Sequence, residues 1–587
     1  MCEETMEQKK RVRHQWYIWA GFGSVWICMV LYVLPHTYGP VILPDEFGYW
    51  AQAASMAGMD WKEVMSLHSW YSPGYGLLML PFLKLIKDPV LLYRCMVTVN
   101  FLLLAAAAGL LYQIINRILP QMGRALSAFI SGAAMLYVAY ITYAQTTMAE
   151  TLLVFLYVLL AYGMVRWTDH PGIRSGLFVM LICGMMYLVH LRTVGIMLAT
   201  VLCMLAAELL REKSRRKLWY TLGLLILTGM ILAAAGYIKE YIVSGVASQQ
   251  YQNLVSANDY SGQWGKLKLL FSLEGIYRFL TGLAGKVFYL GCASFGLYYW
   301  GMAFLLRKLK TFLETLRGKK PFPQYQWLYL WLLLSHVAAV MITNIYCLSS
   351  SRLDGVLYGR YHENTIPVIM ALGTAQLLLH PEFKRRALWL LGILSGSFFV
   401  IYFLLGSGEI LYTNRHSITG ILYALKIAEN YDTQILLYAY LAGGLGGVAV
   451  LAALWFTGGG KRRRFLLVTI CVLQLGLSIY AGNNLTLSAG RAQREDAEKL
   501  CLVKEMLDGR KDAKAVYLYR EKSRRIYLVQ YILQEFPLHL MTEEEISGCG
   551  QEDFIVMPVG EQAAETICLR YANVLETPHY WIYYNTP

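Results

Sequence analysis

Charge is scarce in this 587-residue chain: 15% of its residues are charged, against 57% that are hydrophobic. Soluble domains carry about a quarter of their residues as charges, so an ordinary soluble fold is excluded. No CxxC pair occurs. The eleven cysteines are scattered, and several (Cys28, Cys95, Cys183, Cys292, Cys471) lie inside apolar runs, so neither a zinc site nor a disulfide framework is indicated. The polar C-terminal part has no glycine-rich phosphate loop and no catalytic motif. No internal repeat is visible, and mid-run charges are few, which counts against a transporter pathway. The first apolar run lacks a small-residue cleavage site and reads as a retained helix rather than a signal peptide.

What is abundant is apolar sequence. Runs of about 17–25 residues, the length that crosses a bilayer, recur from Trp16 to Tyr480. The chain therefore reads as an all-α polytopic membrane protein. Its net charge of +14 needs no nucleic acid, because most basic residues sit in short loops between runs, as the positive-inside rule requires. Lys9, Lys10, Arg11 and Arg13 precede the first run and place the N-terminus in the cytoplasm. Asp45 and Glu46 then fall outside. The run at 73–87 is too short for a comfortable crossing, and if it crossed, the later basic loops would face mixed sides; it reads as re-entrant on the outer surface. Crossings are then expected at 16–34, 90–115, 125–144, 151–167, 176–190, 193–210, 219–238, 283–306, 325–347, 363–380, 388–406, 434–456 and 464–482, about 13 in all. An odd count puts the C-terminus outside. The Gly443–Gly447 run suits close helix packing. Residues 483–587 turn polar, with strand candidates at 515–519 and 554–557 and helix candidates at 524–534 and 561–571. They suggest a small extracytoplasmic α/β domain with an accessory or acceptor-binding role.

The outer face collects polar groups from four separate places. Asp45 and Glu46 open a short surface helix, with Tyr49 and Trp50 behind them. Glu150 follows the third crossing. His190 and Arg192 mark the next outer break. Arg360 and Tyr361 lie in Tyr358-Gly359-Arg360-Tyr361-His362-Glu363, beyond Ser351-Arg352-Leu353-Asp354. Each has a plainer reading: Asp45, Glu46 and Glu150 as acidic helix starts, Arg192 as a snorkelling anchor, Arg360 and Tyr361 as part of an aromatic belt. Their convergence on one face suits a single task. A carboxylate can deprotonate an acceptor hydroxyl, arginines can bind a phosphate through their planar forks, and a re-entrant apolar helix leaves room for a lipid tail.

The order of first span, Pro44-Asp45-Glu46, and a surface helix entered at Ser72-Pro73-Gly74 resembles the GT-C superfamily of integral-membrane glycosyltransferases. The protein O-mannosyltransferases and the bacterial aminoarabinose–lipid A transferases are the most alike. The resemblance implies a GT-C fold, a polyprenyl-phosphate sugar donor and an inverting single displacement. It carries the catalytic base onto Asp45 and the second acidic position onto Glu150. The aminoarabinose transferases have a lysine before a Pro-Pro pair where this chain has Ser72 before a single proline; His68 and Arg192 are the candidates to supply that charge.

The expected protein is thus a multi-pass cell-membrane hexosyl- or pentosyltransferase, residues 1–482 catalytic and 483–587 accessory. Asp45 is the general base, and Glu150 orients the acceptor or helps hold a divalent metal. Arg192, Arg360 and His190 hold the donor phosphate. Glu46, Tyr49, His68 and Tyr361 complete the substrate site, and Tyr49, Trp50 and Tyr361 are expected to line the sugar or lipid groove. The partners are a lipid-linked sugar donor, an extracytoplasmic protein, lipid or envelope-glycan acceptor, and membrane lipids. The cofactor is left unknown. Two rivals remain: a transporter or flippase of lipid-linked substrates, and a non-catalytic scaffold displaying the C-terminal domain.

Overall fold

The computed structural model describes residues 2–67, 71–210, 215–246, 263–318, 323–349, 353–379, 383–405, 414–427, 434–456, 460–510, 512–518, 525–561, 567 and 569–585. His68, Ser351, Arg352 and most of 561–571 lie outside them.

Long helices dominate because a chain in hydrocarbon must satisfy its backbone internally. Among the described residues, seven helices are long and apolar enough to cross a membrane, and nine if each of two bent pairs counts as one span. Ile173–Val189, Pro367–Leu379 and Leu388–Phe403 are apolar but shorter. This falls short of the thirteen expected crossings. The straight helix expected at 283–306 is absent. Two helices, Leu273–Ala293 and Leu297–Leu316, replace it and meet at 117°. Phe295 (φ 51°) and Gly296 (φ 80°) force the turn, because two successive left-handed residues cannot continue a right-handed helix. The stretch 176–210 breaks where expected, at a single 3-10 turn, Leu191–Thr193.

The run expected to be re-entrant forms the helix Gly74–Leu85. Twelve residues rise about 18 Å, well under a bilayer core. The carbonyls just beyond it, of Lys87 and Pro89, accept from Lys504 Nζ (2.7 Å) and Tyr531 OH (2.8 Å), both in the C-terminal part. The segment therefore leaves on the face the C-terminal part occupies.

The last long helix, Gly460–Gly482, runs through a π-helical turn, Asn483–Leu487, toward the helix Arg494–Asp508. Beyond it lies a five-stranded sheet. Its strands are β1 (Ala515–Leu518), β2 (Leu538–Met541), β3 (Phe554–Pro558), β4 (Asn573–Glu576) and β5 (Tyr580–Tyr584), in the order β2-β1-β3-β5-β4. β1 pairs in parallel with β2 and β3, and β5 antiparallel with β3 and β4. β1 and β3 match the strand candidates. The helix Ile526–Leu533 is buried throughout. It lies against the surface helix Asp45–Ala57: Tyr527 packs on Phe47, and Tyr531 on Trp50. Trp61 donates to the Gln534 carbonyl and Glu63 accepts from Leu540. Each buried aromatic here contributes ~1.5–3 kcal/mol, so the C-terminal part clamps the segment that carries Asp45. Trp50 is thereby core: its indole N–H goes to Thr147 Oγ1, and it lines no groove.

Candidate active site

Asp45 and Glu46 begin the same helix, and neighbouring helical side chains diverge by about 100°. The structure sends them to opposite tasks. Glu46 turns inward and is fully buried. Its Oε1 accepts the backbone N–H groups of Val41 (2.8 Å) and Ile42 (2.7 Å). Its Oε2 accepts from Tyr93 OH (2.7 Å), Thr147 N (2.7 Å) and Thr147 Oγ1 (2.6 Å). Five donors leave no capacity for a substrate. Glu46 is not brought into the site; it ties the first outer segment to the start of the helix Glu150–Asp169.

Asp45 faces the other way. Its Oδ2 lies 2.5 Å from Arg360 Nη1, and its Oδ1 accepts from Tyr71 OH at 2.7 Å. Arg360 Nε bonds Glu150 Oε1 at 2.7 Å, and Arg192 Nη2 reaches the same oxygen at 3.2 Å. Four of the residues singled out in the sequence thus form one chain of alternating charge, Asp45–Arg360–Glu150–Arg192. The Asp45 side chain keeps 24% of its surface exposed and that of Glu150 only 2%, so Asp45 is the carboxylate an incoming molecule can reach. Burial opposes ionisation of Asp45, but the charge and hydrogen bond of Arg360, with Tyr71, prevail and hold its pKa below the ordinary carboxylate value. It is ionised at neutral pH.

Tyr361 supplies a face to both cations, with Arg192 4.3 Å and Arg360 5.9 Å from its ring centre. His190 stands edge-on to the same ring at 5.6 Å, and its Nδ1 accepts the Arg192 backbone N–H. Tyr49 is buried between Tyr71 and Tyr75 and feels the charges of Glu150, Arg360, Arg192 and Asp45. Sequence reasoning missed Tyr71, two residues before the Pro73 it had marked. It also missed His416, whose pKa burial and Arg360 depress to about 4 and whose charge would act on Asp45.

Several polar atoms here are buried without a hydrogen-bond partner among the described residues: Tyr49 OH, Glu150 Oε2, and both Nε and Nη1 of Arg192. Each such atom costs about 1–3 kcal/mol, and that much unused capacity around one charge cluster marks a place for a polar ligand. A divalent metal fits poorly. Among the described residues no three His, Cys, Asp or Glu side chains converge as a metal site, and Arg360 occupies the position between Asp45 and Glu150 that a shared cation would need.

Helices long and apolar enough to cross a membrane, a surface helix that presents an acidic site, and a sheet-bearing C-terminal part packed against that helix define a multi-pass membrane protein. Among solved structures, ArnT from Cupriavidus metallidurans in the apo state aligns with a TM-score of 0.50 at 13% identity, over 96% of this chain and 98% of that one. ArnT from the same organism bound to undecaprenyl phosphate aligns with a TM-score of 0.52 at 11% identity, over 96% and 97%. At such identities the likeness speaks for the fold, and the fold is the one the sequence resemblance implied. No family model and no curated protein matches the chain.

Proposed function

We propose that this protein is a membrane glycosyltransferase that moves a hexose or pentose from a polyprenyl-phosphate donor to an acceptor hydroxyl on the extracytoplasmic face, with its N-terminus in the cytoplasm. The observation that carries this reading is the unspent hydrogen-bonding capacity of the Asp45–Arg360–Glu150–Arg192 chain. Arg192 offers two unpartnered donor nitrogens suited to a phosphate, while Glu150 Oε2 and Tyr49 OH suit sugar hydroxyls. The solved ArnT complex with undecaprenyl phosphate supports a lipid-phosphate donor.

In the resting site Asp45 is a weak base because Arg360 holds it. A donor phosphate competes for that guanidinium. As Arg360 turns toward the phosphate, Asp45 loses its counter-charge, its basicity rises, and it takes the acceptor proton while the acceptor oxygen attacks the anomeric carbon. The sugar–phosphate bond breaks on the opposite side, so the configuration inverts and polyprenyl phosphate departs. Acceptor activation thereby waits for the donor. Glu150 keeps Arg360 and Arg192 in place for the leaving phosphate.

Purified protein incubated with a panel of polyprenyl-phosphate hexoses and pentoses tests this. Release of polyprenyl phosphate from at least one donor is expected. No release from any, together with no binding of undecaprenyl phosphate, would overturn the reading.

A further inference from the structure

One face of the helix Leu273–Ala293 is built to hold the loop that delivers Arg360. Gly282, Gly285, Lys286 and Tyr289 recur at three- and four-residue spacing and share that face. A Cβ on Gly285 would stand 2.5 Å from both the carbonyl oxygen and Cγ1 of Val356, and one on Gly282 would stand 2.3 Å from Asn344 Oδ1. One on Gly359 would stand 2.0 Å from the Tyr289 ring. The loop therefore lies directly on the helix, its backbone against Gly285 and its Gly359 against the Tyr289 ring, while Asn344 closes on the same face at Gly282. Lys286, fully buried, fastens it. Its Nζ donates to the carbonyls of Gly355 (3.3 Å) and Val356 (3.2 Å), to Asn344 Oδ1 (3.1 Å) and to Gly282 O (3.4 Å). All four neighbours are acceptors. An ammonium has three hydrogens for them and a neutral amine only two. A buried ammonium is costly, and an apolar side chain would serve helix packing alone.

We infer that Lys286 is the positioning residue of the site: it pins the 353–359 turn to the helix face so that Arg360 reaches between Asp45 and Glu150. It touches no substrate and acts only through Arg360. The inference rests on the proposed donor reading for its effect on binding, but not for its effect on the loop.

The test is Lys286→Met in the full-length protein, with Gly285→Ala as a second variant that lifts the same loop without removing a charge. Amide hydrogen exchange within 353–361 should speed up at least about tenfold in both, a loss of ~1.4 kcal/mol of local protection, while the helix Arg494–Asp508 stays unchanged. Undecaprenyl-phosphate affinity should fall about tenfold in Lys286→Met, and the same change in an Arg360→Ala background should cost nothing more. Unchanged loop exchange in both variants, or the same tenfold loss in the Arg360→Ala background, would overturn the positioning role. If no form binds undecaprenyl phosphate while loop exchange still rises, the donor reading fails and the pinning of the loop stands.

Discussion

Two groups of carboxylates lie within the same polar core and are treated in opposite ways. Glu46 and Glu363 are sealed. Glu46 accepts five bonds from amides and hydroxyls. Glu363 accepts from Tyr137 (2.8 Å), Tyr143 (2.7 Å) and Tyr289 (2.6 Å). Among the described residues, neither has a cation as a hydrogen-bond partner. Asp45 and Glu150 are held instead by two arginines, with buried donors and acceptors left over. A carboxylate bonded on both oxygens to fixed neutral donors is a joint, because nothing can enter without breaking several bonds. One held by an arginine that can exchange partners is a site.

Breaking a joint should cost stability and leave chemistry alone. Glu46→Gln puts an NH₂ group against N–H and O–H donors, so at least one donor loses its acceptor, for a loss of ~1–3 kcal/mol. A lower thermal midpoint with unchanged turnover of the folded fraction is expected; lost turnover at full stability would erase the distinction. Altering the site should do the reverse. Arg192→Lys keeps the charge and loses the planar fork. Undecaprenyl-phosphate affinity should drop roughly tenfold, the value of about one charged hydrogen bond, with the thermal midpoint little moved; unchanged affinity would remove Arg192 from donor binding. The smallest effect sharpens the edge of the site. His416 stays neutral in the folded protein down to about pH 4, whereas its ordinary value is 6.5. The unfolded chain takes up a proton as pH falls through the ordinary value and the folded protein does not, so stability is lost between those two values. His416→Gln should flatten that part of the curve of thermal midpoint against pH. An unaltered curve would show that His416 is not held neutral.

Asp45, Glu150, Arg192 and Arg360 were legible in the sequence because each is a charge at the end of an apolar run on one side of the membrane. Composition and spacing are enough to see that, and the resemblance implied Asp45 as the base we propose. Glu46 was misplaced because direction around a helix is decided by what surrounds it: here Tyr93 and Thr147, from segments far along the chain. The tyrosine cage of Glu363 was hidden for the same reason. So was the role of Lys286, since a straight span expected at 283–306 gives no reason for a glycine–lysine face. The bend itself had a signal in Ser294-Phe295-Gly296, but hydropathy runs through it. In the C-terminal part, β1 and β3 are continuous apolar runs and were found. β5 is Tyr580-Trp581-Ile582-Tyr583-Tyr584, which reads as an aromatic tail until its pairing with β3 is known.

The central claim is that Asp45 alone takes the acceptor proton. It is tested most directly by measuring sugar transfer and undecaprenyl-phosphate binding side by side in Asp45→Asn. Transfer should fall by about 10²–10⁴-fold, the usual contribution of a general base, with binding retained because Arg192 and Glu150 are untouched. Transfer at the wild-type rate, in a protein that still binds the lipid, would contradict it.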